Sequence, residues 1–279
     1  MRKSELGISA NLKELAQELD LPLLAEDGRI VTLNSELFEP DVGNGKGIVL
    51  IEGITPDRER YGQIAARLCD HGFDVLYFRV PGETSVKGWL VSDTPLSNRI
   101  AYGYAALRYL TGRCDEVHIA GYSLGGSAGF RIACRSDLPS SISIAGTPAS
   151  PNHISPVMKY AIKCLAKLKK GYFEDLQRHA IDNDPSRPEC PTLIMHQKDG
   201  DKLVDAVNAQ LIYQGMPNGS SELIYLTGTS GHWPQDSEFY DALADLSAQH
   251  FSGTLERFGY PVEMDVLTGR TQKLTSAAP

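Results

Sequence analysis

The sequence has no apolar run approaching the roughly 20 residues that a membrane-spanning helix needs. It also lacks a cysteine framework. Cys69, Cys114, Cys134, Cys164 and Cys190 are odd in number and scattered, and none stands in a C-x-x-C pair. A disulfide scaffold or zinc ribbon is therefore excluded, no metal site is expected, and a reducing cytoplasm fits best. The opening Met1-Arg2-Lys3-Ser4-Glu5 leads into no apolar h-region, so no secretory signal is expected. Excess positive charge is missing too. Lys and Arg number 27 against 35 Asp and Glu, a net charge of −8, which argues against nucleic acid as the main partner. What remains is ordinary globular material: 42% hydrophobic and 22% charged residues over 279 positions, which excludes a disordered chain.

Short apolar runs recur at Gly47–Ile51, Phe73–Val80, Glu116–Ala120, Ser141–Ala145, Thr192–Met195 and Leu223–Leu226. Their hydrophobicity is continuous rather than alternating, as expected of parallel strands covered on both faces. Helical stripes lie between them: Tyr61, Ile64, Ala65 and Leu68; Ile100, Tyr104, Leu107 and Leu110; Phe239, Leu243 and Leu246. Alternating strand and helix predicts right-handed crossovers and a three-layer α/β sandwich. Arg29–Leu33 reads as an added antiparallel edge strand, and Asn11–Leu19 as a helix stopped by Pro22. The stretch from Ala145 to Pro191 is too long for one crossover. Met158, Ala161, Ile162, Leu165 and Leu168 mark an amphipathic helix in it, and Tyr172–Ala180 a second, so it reads as a helical cap.

The informative motif is Gly121-Tyr122-Ser123-Leu124-Gly125, with a strand before it and a small-residue helix after it. A serine hydroxyl is a weak nucleophile and must stand clear of the sheet to meet a base. A sharp strand-to-helix turn does this, and it crowds the backbone two residues before and two after the serine, where only small residues fit. The turn also puts the Leu124 amide at a helix N-terminus, aimed at developing negative charge.

With that motif in that context, residues 29 to 258 resemble the α/β-hydrolase superfamily. The resemblance implies a mostly parallel sheet with helices on both faces and a small helical cap. With the residue patterns above, and a tail without periodicity, the chain divides into an N-terminal helical extension (1–28), a core in two parts (29–149 and 189–259), a cap (150–188) and a fraying tail (260–279). The resemblance implies a triad in the chain order nucleophile, acid, histidine. Gly231-His232-Trp233-Pro234 resembles the family's histidine loop, making His232 the general base ahead of His118, His153 and His196. In His196-Gln197-Lys198-Asp199-Gly200-Asp201-Lys202-Leu203-Val204, Asp201 matches the family spacing for the acid, and Asp199 stays open as the alternative.

The second oxyanion donor should come from Glu52-Gly53-Ile54, where the family usually shows His-Gly-x; the Ile54 amide is the matching group. Glu52 departs from the pattern. It either ties down its loop through a cation, with Arg79 the first choice, or faces substrate. Glu52, Tyr122 and Trp233 are the pocket candidates. The resemblance implies a cytoplasmic serine hydrolase acting on an ester, thioester or related acyl bond of a small molecule, with no cofactor and no membrane. The same triad can serve acyl transfer, cyclisation or C–C cleavage, or be retained in a ligand-binding homologue. Lys159, Lys163, Lys167 and Lys170 share one face of the cap helix, either as a solvated surface or as a dock for an acidic acyl carrier.

Overall fold

The computed structural model describes residues 16–24, 30–86, 89–168, 170–198, 201–229, 231–232 and 237–274. Its strands are β1 (Ala16–Leu24), β2 (Ile30–Phe38), β3 (Lys46–Ile51), β4 (Asp74–Phe78), β5 (Glu83–Val86), β6 (Trp89–Ser92), β7 (Glu116–Tyr122), β8 (Ser141–Ala145), β9 (Thr192–Gln197), β10 (Ser221–Thr227), β11 (Val262–Asp265) and β12 (Thr271–Lys273). Ten form one sheet in the order β1-β2-β4-β3-β7-β8-β9-β10-β11-β12, and β5 and β6 form a separate hairpin. From β4 across to β11 all pairings are parallel; β1, β2 and β12 pair antiparallel at the two margins.

The helices are α1 (Arg58–Asp70), α2 (Leu96–Thr111), α3 (Leu124–Ala133), α4 (Pro156–Leu168), α5 (Tyr172–Arg178), α6 (Val207–Gly215) and α7 (Ser237–Phe251). Strand side chains alternate between faces, and β3 shows why its run is apolar throughout. Ile48 and Leu50 pack with Ile64, Leu68 and Leu243 of α1 and α7. Val49 and Ile51 pack on the opposite face with Leu107 of α2 and Ile132 of α3. The helix α2 approaches the sheet at Gly103, where a Cβ would lie 2.7 Å from Ile132 Cδ1 and 2.8 Å from Ile51 Cδ1. That contact turns the helix so that Tyr104, expected on its apolar stripe, is 38% exposed, while Leu96, Arg99, Gly103, Ala106 and Leu110 are buried.

Three expectations are corrected. Residues 16–19, read as the end of an N-terminal helix, belong to β1, and Ala16 pairs with Phe38. Leu19, Leu21 and Leu23 alternate with Asp20 and Pro22, and this period of two prevails over helical spacing. Pro22 is tolerated because β1 is an edge strand. The remainder of the expected helix, residues 11–15, lies outside the described residues. As a result β2 is not the edge, and it continues past Leu33 to Phe38. At the other end, residues 260–279 were expected to fray. Instead Val262–Asp265 pairs parallel to β10 and Thr271–Lys273 folds back antiparallel on it, while residues 275–279 lie outside the described residues. Val262 is 1% exposed, since it covers what would otherwise be the open margin of β10.

Candidate active site

β7 ends at the strand-to-helix turn that carries Ser123. Ser123 has φ 55° and ψ −123°, the one positive φ outside glycine among the described residues. Such a backbone costs about 1–3 kcal/mol and persists only where its surroundings hold it. They do so here. A Cβ on Gly121 would sit 2.5 Å from the Gly125 carbonyl oxygen, and one on Gly125 would sit 2.1 Å from that of Ile51. The Ser123 amide donates to Ala145 O at 2.8 Å, tying the turn to β8. The Ser123 side chain does not cap α3, and its Oγ lies 3.0 Å from His232 Nε2.

His232 Nδ1 lies 2.7 Å from Asp201 Oδ2. The other Asp201 oxygen, Oδ1, accepts the Leu203 and Val204 amides at 2.9 and 3.0 Å, so the carboxylate is held from both ends. Burial works to raise the Asp201 carboxyl, but the hydrogen bond and charge of His232, with the Val204 amide, hold it below its ordinary value. The Tyr122 hydroxyl donates to the His232 carbonyl and anchors that loop from beneath. The structure thus brings Ser123, His232 and Asp201 together at the carboxyl ends of β7, β9 and β10. Asp199 and Trp233 lie outside the described residues.

Competing histidines sit elsewhere. His118, at the opposite end of β7, packs against Ser141 Oγ at 2.9 Å. His153 is exposed on the cap. His196 is buried behind Asp201, with Nε2 3.9 Å from Asp201 Oδ2 and Nδ1 bonded to the Gln197 carbonyl. Burial lowers the His196 pKa and keeps the ring neutral.

The loop after β3 presents the Ile54 amide. Among the described residues neither this amide nor that of Leu124 has a hydrogen-bond acceptor, although the loop around them is fully engaged. The Gly53 amide donates to Tyr61 Oη at 2.7 Å, and the Ile54 carbonyl accepts from the Ser92 amide at 2.7 Å. Arg99 Nη1 donates to the Glu52 and Gly53 carbonyls at 3.0 and 2.9 Å.

Two pocket candidates are corrected. Glu52 is fully buried, and its carboxylate accepts the Tyr77 hydroxyl at 2.9 Å and the Val80 amide at 2.8 Å. It forms no ion pair with Arg79, because the amide of the next residue, Val80, already occupies that side. Burial and the Glu52 charge together push the Tyr77 phenol far above its ordinary value. Tyr122 is 4% exposed and supports the histidine loop rather than lining the pocket. The pocket beside Ser123 is a slot with about 30 Å³ of free space, walled by Ile54, Leu96 and Leu124 below and by Met158, Ile162 and Leu176 of the cap helices above. Sequence reasoning did not single out Leu96 or Leu176; Ile54 and Leu124 entered it only as oxyanion donors, and Met158 and Ile162 only on the apolar stripe of the cap helix. It also missed Arg99, whose signal was a charge at a core position of a helix. Among the described residues no cluster of His, Cys, Asp and Glu could hold a metal ion, and no helix is long and apolar enough to cross a membrane.

No family model and no curated protein matches the chain. Solved structures do. An esterase from Pyrococcus furiosus superposes with a TM-score of 0.64 at 18% identity, covering 88% of this chain and 94% of the other. A 2,6-dihydroxy-pseudo-oxynicotine hydrolase gives 0.67 at 16%, covering 88% and 71%. The esterase domain of a Rhodothermus marinus protein gives 0.59 at 17%, covering 83% and 96%.

Proposed function

We propose that this chain, which has the α/β-hydrolase fold, is a serine hydrolase that cleaves an ester through an acyl-enzyme on Ser123. The observation that carries the reading is the unbroken relay from Ser123 Oγ through both nitrogens of His232 to Asp201, beside two amides that have no acceptor among the described residues. In the first step Ser123 Oγ attacks the carbonyl carbon while His232 Nε2 takes its proton. Asp201 accepts from Nδ1–H, fixing the tautomer and balancing the imidazolium charge. The negative charge moves to the carbonyl oxygen, which the Ile54 and Leu124 amides receive, each worth about 3 kcal/mol. Collapse breaks the bond to the leaving alcohol, which takes the proton from His232. Water then repeats the sequence and releases the acid.

The slot is walled almost wholly by apolar side chains and roofed by the cap helices, which favours a short apolar acyl chain. A second reading, in which the acyl group is a thioester on an acidic carrier, draws on one observation: Lys159, Lys163, Lys167 and Lys170 are all exposed along the cap of a chain whose net charge is −8. Two measurements test the proposal. A fluorophosphonate probe should label the wild type and not Ser123→Ala, and equal labelling of both removes the nucleophile assignment. A panel of p-nitrophenyl esters, run beside acyl-thioesters, should peak at the shortest chains.

A further inference from the structure

Arg99 is an uncommon side chain for the place it occupies. It stands in the first turn of α2, is 0% exposed, and faces the core. Among the described residues no carboxylate forms a salt bridge with it, and its Nε and Nη2 have no hydrogen-bond partner. Burying a cation without a paired anion is costly, so its retention calls for a return elsewhere. Its third nitrogen, Nη1, makes two hydrogen bonds, to the carbonyls of Glu52 and Gly53. These are the two peptide units that lead into Ile54.

The geometry points to Arg99 as the positioning residue of the oxyanion site, acting through the Gly53–Ile54 peptide; the inference rests on the serine-hydrolase reading above. A trans peptide directs its C=O and N–H to opposite sides, and no cis peptide occurs among the described residues. By holding the Gly53 oxygen at 2.9 Å, Arg99 turns the Ile54 N–H the other way. Ile54 and Ser123 line the slot together, and on this inference that N–H points into it. Gly53 itself packs so closely on the nucleophile that a Cβ there would meet Ser123 Cβ at 3.0 Å.

The same contact has an electrostatic consequence. A cation on a carbonyl oxygen polarises the whole amide and makes its N–H a stronger donor. The guanidinium lies one peptide plane from the place where the oxyanion forms, in a dry region where screening is weak. It therefore stabilises the transition state more than the neutral ester. Glu52, the acid that replaces the family's usual histidine, is directed away by Tyr77 and Val80. The loop thus keeps a positive charge behind its donor and its negative charge bound on another side.

The test compares Arg99→Met and Arg99→Lys with wild type on a short p-nitrophenyl ester. It measures kcat, KM and the inhibition constant of a trifluoromethyl ketone, whose adduct carries the oxyanion. Arg99→Met should lower kcat about 100-fold, as expected for a donor displaced by an ångström, with KM changed less than about threefold. Ketone affinity should fall by the same factor as kcat/KM. Arg99→Lys, which keeps the charge but not the reach and planar placement of Nη1, should fall between the two and serves as the test if the Met variant does not fold. Folded variants with wild-type kcat, or a kcat loss unmatched by a loss of ketone affinity, would overturn the inference and leave Arg99 a structural residue. Ser123→Ala, assayed alongside, separates the two levels. If it stays active, the serine-hydrolase reading fails. If it is inactive while Arg99→Lys behaves as wild type, only the role of Arg99 fails.

Discussion

Replacing Asp201 by Asn removes one charge and almost no volume, and the structure decides which way the new amide must face. Oδ1 receives two backbone amides, from Leu203 and Val204, so the position there must remain an oxygen. The NH2 group is then forced onto the other side, 2.7 Å from His232 Nδ1. An amine donor facing Nδ1 makes that nitrogen the acceptor, and the imidazole proton moves to Nε2. Nε2 lies 3.0 Å from Ser123 Oγ and, once protonated, can no longer take the serine proton. A wrong tautomer of this kind lowers kcat by about 10⁴, or about 5 kcal/mol of transition-state stabilisation. The assay is kcat on a short p-nitrophenyl ester, with the melting temperature measured on the same sample to show that the variant is folded. Asp199→Asn is the control and should cost far less. A folded Asp201→Asn enzyme within tenfold of wild type would refute the tautomer argument, and the reversed pair of results would make Asp199 the acid.

Other outcomes follow from the same geometry. Glu52→Gln replaces two charge-assisted hydrogen bonds with ordinary ones at about 1 kcal/mol each. The melting temperature should fall by about 4–8 °C with kcat within about threefold; a large kcat loss at constant melting temperature would place Glu52 in the chemistry. Because the Asp201 carboxyl is held below its ordinary 3.8, it contributes stability that is complete above that value and lost as pH falls through the folded value. Asp201→Asn should therefore flatten the acid limb of a melting temperature–pH curve, and an unchanged limb would show the carboxylate to be unstabilised. Reversing Lys159, Lys163 and Lys167 to Glu should leave small neutral esters unaffected. For acyl groups on an acidic carrier it should raise KM, and wild-type KM should itself rise with salt; salt-independent KM would mark the stripe as a solvated face.

What could be read without coordinates was local in the chain. Gly121, Ser123 and Gly125 lie within five residues, and the steric need for glycine is a property of the turn itself. The apolar runs at β3, β7 and β9 are legible because both faces of each strand are covered. What could not be read depends on register or on distant neighbours. Glu52 lies next to Tyr77 because Leu50 of β3 pairs with Tyr77 of β4, a relation no motif encodes. Arg99 interrupts an apolar stripe, and sequence alone does not distinguish a misplaced charge from one that grips a carbonyl 46 residues away. The β1 segment fits two periods at once, and only its pairing with β2 decides between them.

The two antiparallel margins of the sheet bear on how the molecule avoids its own kind. A parallel sheet that stopped at β4 and β10 would offer two long rows of free amides and carbonyls, which are templates for self-association. β1 and β2 close one margin, and the outermost strand carries Pro22, which cannot donate to a newcomer. β11 and β12 close the other, ending on the short, wholly exposed Thr271–Lys273 with its lysine. A chain trimmed at residue 260, as its lack of periodicity would invite, would therefore keep Ser123, His232 and Asp201 and lose this guard. Its fate would be decided by stickiness before catalysis: precipitation that worsens with protein concentration, in material whose few soluble molecules still turn over.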